Sequence, residues 1–161
     1  MKTSGLGLAA VALGWLAVAP CAAQAAEGSF AQFVGGWAGS GTISMKDGAR
    51  ERIRCRGGNT ESGNTLKLGL KCASDSYRFE LQSEITNNGG QLSGSWNETT
   101  RGVYGSLSGQ LSGSHIQATA QAVGFNASLS IASNGGRQSV SIRSPGSEIS
   151  EVSIALSRAG R

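Results

Sequence analysis

The sequence predicts an all-β chain that closes into a small antiparallel up-and-down barrel of about ten strands, braced by one disulfide. Three observations predict it. Apolar and polar residues alternate with a period of two from Gly36 almost to the C-terminus, and no stretch there has helical spacing. Clusters of Gly, Asn, Asp and Ser interrupt the alternation every ten residues or so, which is the punctuation of short hairpin loops. Glycine supplies 25 of the 161 residues, roughly twice its usual share of ~7%, while charged residues are only 15% against about 25% in an ordinary domain.

Each strand can be read in order. Trp37, Gly39, Gly41, Ile43 and Met45 share one face, followed by Lys46-Asp47-Gly48. A two-residue Asp47-Gly48 loop would pair Ile43 with Arg52 and mix the faces. A three-residue loop with a glycine bulge pairs Ile43 with Glu51 and Gly41 with Ile53, and is preferred. In the second strand Ile53 and Cys55 alternate with Arg50, Arg52, Arg54 and Arg56, and in the third Leu66, Leu68, Leu70 and Cys72 follow Ser62-Gly63-Asn64. Opposing Cys55 to Cys72 centres that hairpin between Gly63 and Asn64, where a two-residue turn wants such residues. The same register keeps Ile53, Cys55, Leu68 and Leu70 on one face, and sets Lys71 opposite Arg56.

The later strands repeat the pattern. Tyr77, Phe79, Leu81 and Ile85 precede Asn87-Asn88-Gly89-Gly90; then come Leu92, Gly94 and Trp96, and next Val103, Gly105 and Leu107. Ile116, Ala118, Ala120 and Ala122 lead to Phe125, Ala127, Leu129 and Ile131. Asn134-Gly135-Gly136 turns into Val140 and Ile142, and Pro145-Gly146 into Val152, Ile154 and Leu156. Strands with one apolar face must stack or close, and short sequential loops favour a closed meander, which leaves no free edge. Inward glycines (Gly39, Gly41, Gly94, Gly105) suit tight coiling. The opposite face is Arg, Lys, Glu, Gln, Ser and Thr, so a membrane-spanning barrel is not expected.

The first residues form an address. Met1–Ala25 has the short basic start (Lys2), apolar middle (Gly5–Ala19) and Ala23-Gln24-Ala25 ending of a secretory signal. A lipoprotein signal ending at Cys21 fits less well, because Pro20 precedes the cysteine. The organisation read from the chain is 1–25 signal, 26–35 lead-in, 36–158 barrel and 159–161 tail, in a bacterial periplasmic or secreted protein. Cys55 and Cys72 then remain in an oxidising compartment and are expected to pair. No CxxC occurs and His115 is the only histidine, so no metal and no cofactor is expected.

Phe33-Val34-Gly35-Gly36-Trp37 resembles the F-x-G-x-W opening of the calycins, which include lipocalins, intracellular fatty-acid-binding proteins, avidins and nitrobindin-type barrels. The resemblance implies that Trp37 plugs one end of an eight- or ten-stranded barrel, and that the protein shares a general habit of ligand binding. Arg158 could match the late arginine that lipocalins often stack on that tryptophan. The departures are equally specific. Lys46-Asp47-Gly48 stands where fatty-acid-binding proteins carry a helical lid, the lipocalin T-D-Y signature is absent, no histidine stands on a late strand as nitrobindin-type haem binding needs, and few tryptophans are present for an avidin-type site.

Two constellations are candidate sites. Trp37, Phe79, Trp96, Tyr104 and Phe125 are either a core or a cavity wall, and Glu98, near Arg101, is either a barrel-end ion pair or a polar anchor within that cavity. Outside, Arg50, Arg52, Arg54 and Arg56 put their guanidinium groups on one face with Lys71, a surface for anionic groups or an acidic partner. The bland alternative is a solvated face partly neutralised by Glu80 and Glu84 across from Lys71 and Lys67. Glu51, on the apolar face, is read either as a ligand group or as a strand-end carboxylate. No aromatics interleave the basic row and no long basic tract occurs, so nucleic acid is not an expected partner. No nucleophile elbow, phosphate loop or dinucleotide fingerprint is present, so an enzyme is not expected. The function expected is non-catalytic binding of a small apolar or amphipathic ligand inside the barrel. The alternative is an envelope protein-interaction module, for example one resembling a protease inhibitor, acting through its outer surface.

Overall fold

The computed structural model describes residues 29–160, so the signal read at Met1–Ala25 and the cysteine Cys21 lie outside the described residues. A single 3-10 turn, Phe30–Gln32, leads into ten strands: β1 Gly35–Met45, β2 Arg50–Ser62, β3 Thr65–Ala73, β4 Arg78–Asn88, β5 Gln91–Glu98, β6 Val103–Ser112, β7 His115–Ala122, β8 Phe125–Asn134, β9 Arg137–Arg143 and β10 Ile149–Arg158. Every strand pairs antiparallel with its sequence neighbour, and β1 pairs with β10 to close the barrel.

The first two hairpins have the expected registers. Gly41 faces Ile53 and Ile43 faces Glu51, and Gly48 takes a φ of +89° in the loop between them. Cys55 faces Cys72 and Arg56 faces Lys71, and the two sulfurs are bonded. Gly63 turns that hairpin at a φ of +61°, a conformation glycine reaches at no steric cost.

Alternation places Ile43, Ile53, Leu66, Ile85, Leu107, Ile116, Val140 and Ile154 in the core, and leaves charged and hydroxyl side chains outside. Two expected cross-strand ion pairs form on that outer face, Lys71–Glu80 at 3.0 Å and Lys67–Glu84 at 3.7 Å. Among the described residues no helix is long and apolar enough to cross a membrane.

Inward glycines let the barrel coil tightly. At Gly105 a Cβ would run into the Gln121 carbonyl of the neighbouring strand, and would lie 2.9 Å from the Trp96 Nε1. The missing side chain therefore lets β6 and β7 approach and gives Trp96 a surface to lie on.

Candidate functional site

One end of the barrel is closed from inside. Phe30 and Phe33 fold under the strands and are fully buried with Trp37. The Phe33 carbonyl, left without a strand partner by this turn, accepts from Trp37 Nε1 and from Asn59 Nδ2, both at 2.9 Å. Ser133 Oγ donates to the Gln32 carbonyl at 2.8 Å, tying the same segment to β8. Arg158 covers the tryptophan, its guanidinium carbon 4.9 Å from the ring centroid. Gly35 lies against that guanidinium at a φ of +124°, and a Cβ there would come within 2.6 Å of the Arg158 Nη1. The glycine and the tryptophan of the Phe33–Trp37 motif thus each have a physical reason.

Above this plug the barrel is not filled. A cavity of about 130 Å³ is lined by Trp37, Leu68, Leu70, Trp96, Phe125 and Leu129 among other apolar side chains, with Asn59 and Gln138 at its plugged end. Gln82 and Ser83 on β4 also line it, and their side chains donate to Glu80 Oε1 and the Ser95 carbonyl. Among the described residues no charged side chain belongs to its lining. Small residues make the space: Ala120 and Ala127 face inward, and Gly57 stands where β2 would otherwise project a side chain. Trp96 leaves room by lying along the wall, its Nε1 donating to the Gln121 carbonyl at 3.3 Å. Phe125 packs against it with centroids 5.3 Å apart.

Leu81, Trp96, Phe125 and Ile142 also border a wider recess of about 330 Å³ at the opposite end, so these four side chains stand between cavity and mouth. Polar groups on the rim are committed to holding loops. Glu98 is only 7% exposed. Its Oε1 accepts from the Glu80 and Thr100 amides and from Thr100 Oγ1, and its Oε2 from the Arg101 amide at 2.9 Å, with the Arg101 guanidinium at 3.5 Å. Burial raises its pKa, but these hydrogen bonds outweigh burial and hold the carboxyl below its ordinary value of 4.5. Glu51 takes the same part for the loop between β3 and β4, accepting from the Ser76 amide at 3.0 Å. Hydrogen bonds from the Ser74 hydroxyl, then the Ser76 amide, keep its pKa low. Burial and then the Glu148 carboxylate push the Tyr77 hydroxyl pKa up.

The structure brings Trp37, Phe79, Trp96, Phe125 and Glu98 to the barrel interior or its mouth. Tyr104 is a correction. It is 77% exposed on the outer face, because Trp96 pairs with Gly105 and so sets Gly105 inward and Tyr104 outward. Arg50, Arg52, Arg54 and Arg56 share the outside of β2. Among the described residues none of the four has a carboxylate within ion-pair distance, and only Arg52 makes a side-chain hydrogen bond, to Ser40 Oγ at 3.5 Å. His115 lies on the plugged end, its Nδ1 3.4 Å from Ser114 Oγ, and is exposed. No cluster of His, Cys, Asp and Glu among the described residues could hold a metal.

Sequence reasoning missed Asn59 and Gln138. Asn59 lies four residues after Cys55 and Gln138 two before Val140, both read as inward, so parity alone places them inside. Their polarity hid them.

No protein-family model matches the chain, and no curated protein proves similar to it. Among solved structures, the crystal structure of Rv2717c from M. tuberculosis is similar in fold, with a TM-score of 0.63 at 12% sequence identity, over 81% of this chain and 95% of that one.

Proposed function

We propose that this protein is a non-catalytic binding protein with a calycin-like barrel, exported through the signal at Met1–Ala25, that holds one small apolar or amphipathic molecule inside the barrel. The observation that carries the reading is the unfilled apolar interior, with Trp37 below it and a recess at the mouth that shares four of its lining residues. Protein interiors are normally packed to the density of organic crystals, and dry apolar voids weaken them. A void of this size matches about one aromatic ring or a short alkyl segment, since an engineered apolar cavity of about 150 Å³ takes up benzene. The wider recess accommodates the remainder of a larger molecule. The Arg158–Trp37 stack supports the calycin-like part of the reading, and the similarity to Rv2717c supports the barrel alone.

The test is native mass spectrometry of the protein purified from the cells that make it, followed by denaturing extraction. The expected result is a stoichiometric small molecule released on unfolding. Trp96→Ala is expected to weaken rebinding at least tenfold, and Ala120→Phe to block it by filling the lumen, while Arg54→Glu leaves it unchanged. A bare protein that also takes up no apolar probe would overturn the reading.

A second reading rests on the arginine row. Three of its members, Arg50, Arg54 and Arg56, have neither a carboxylate nor a side-chain hydrogen bond among the described residues, and Ser40, Thr42 and Ser44 flank them on β1. An acidic envelope protein docking there would lose affinity with Arg54→Glu and keep it with Trp96→Ala, the reverse of the ordering above.

A further inference from the structure

We infer that the molecule held in the barrel carries an uncharged hydrogen-bond acceptor at its buried end, and that Gln138 is the residue that selects it. This rests on the cavity reading above and adds to it the chemistry of the ligand.

Strand β9 projects Gln138, Val140 and Ile142 inward, so a carboxamide occupies one of three positions that packing alone would fill with apolar side chains. Gln138 is 5% exposed, and its Nε2 has no hydrogen-bond partner among the described residues. Its strand neighbours across the ladder are Leu156 and Ser133, and the Ser133 hydroxyl is already given to the Gln32 carbonyl. A buried donor without an acceptor is destabilising, and native structures leave few of them. The side chain that carries it lines the cavity, and the terminal torsion of a glutamine is broad enough to turn its amide that way.

The other carboxamide at that end differs. Asn59 Nδ2 donates to the Phe33 carbonyl, so Asn59 belongs to the plug and Gln138 supplies the free N–H. The acceptor it meets is neutral. No cation among the described residues lines the cavity, and a carboxylate stripped of water without one is strongly disfavoured. Arg158, the basic residue that covers Trp37, spends its Nη1 on the Val34 carbonyl at 2.8 Å and its flat face on the indole. A carbonyl, ether or hydroxyl oxygen attached to an apolar body satisfies every one of these constraints.

Acetophenone and its isostere α-methylstyrene differ by a carbonyl oxygen in place of a methylene group. Their dissociation constants would be measured by calorimetric titration on the wild-type protein and on Gln138→Met, which keeps volume and shape. The ratio of the two constants in one protein, divided by the same ratio in the other, cancels each probe's own hydration. We expect Gln138→Met to shift that ratio about tenfold toward the hydrocarbon, the worth of one hydrogen bond in an apolar site, with α-methylstyrene binding retained. Benzoate is expected to bind neither protein. A ratio unchanged by the substitution would overturn the role of Gln138 while leaving the cavity reading intact. Benzoate binding as tightly as acetophenone would overturn the neutrality of the acceptor. Failure of both neutral probes on both proteins would overturn the cavity reading and this inference together.

Discussion

Arg158, the last residue of β10, lays its guanidinium over the Trp37 ring at 4.9 Å and donates from Nη1 to the Val34 carbonyl at 2.8 Å. It therefore joins the final strand to the segment that enters the first, at the point where the barrel closes. A planar guanidinium can stack and hydrogen-bond at once, which an ammonium cannot. Arg158→Ala is expected to lower stability by about 1–2 kcal/mol, the sum of an exposed cation–π contact and one backbone hydrogen bond. Arg158→Lys should recover only part of that loss. Denaturant unfolding followed by tryptophan fluorescence would measure both.

Glu98 makes the loop between β5 and β6 sensitive to acid. Its carboxyl titrates below 4.5 in the folded protein, so its contribution is fully present above the unfolded value and is lost as pH falls through the folded one. Glu98→Gln is expected to cost about 2 kcal/mol at pH 7, since a carboxamide cannot accept all the donors aimed at it. The gap between variant and wild type should narrow as the pH is lowered past the ordinary carboxylate value and on through the lower folded one, because the wild-type carboxyl is then protonated too. Thermal unfolding of both proteins across that range gives the comparison.

At Gly105 a methyl group would collide with the Gln121 carbonyl and crowd the Trp96 indole. Gly105→Ala is expected to destabilise the barrel by about 2–3 kcal/mol, the usual cost of overpacking, and to move Trp96 into the lumen. Gly58→Ala is the control, because a Cβ there meets nothing within 4 Å. Chemical denaturation of the two variants, with the Trp96 emission spectrum, distinguishes backbone collision from a general intolerance of alanine in strands.

Gln138→Met should stabilise the ligand-free protein by about 1 kcal/mol, because it removes an unpaired buried donor at constant volume. That corresponds to a rise in Tm of about 3–4 °C for a domain of this size. Differential scanning calorimetry of the unloaded proteins checks it. A polar residue that lowers stability where it stands is the pattern expected of a binding site.

Much of the architecture was legible in the residues themselves. A period of two states which side chains share a face, and a glycine at a turn states where a strand reverses. The register of β1 with β2 followed from one constraint, that Ile43 and Ile53 not be turned to water. The pairing of Cys55 with Cys72 followed from the position of Gly63-Asn64. These are local relations, set within one hairpin. Tyr104 was within the same reach, since it neighbours Gly105 and Gly105 shares a face with Leu107. Aromatic character suggested the interior where parity points outward.

The tertiary structure decided whether the barrel is hollow. Inward small residues are compatible both with walls that collapse together and with walls held apart, and no periodicity separates the two. Closure of β1 on β10 fixes the circumference, after which Ala120, Ala127 and Gly57 are too small to fill what it encloses. The same closure brings Asn59 of β2 and Gln138 of β9, far apart in the chain, to one end of the cavity, where Phe33 occupies one carboxamide and leaves the other free. The sequence by itself determined faces, turns and the disulfide, because those depend on neighbours a few residues away. The cavity and its polar end depend on distances across the lumen, which exist only once all ten strands have closed.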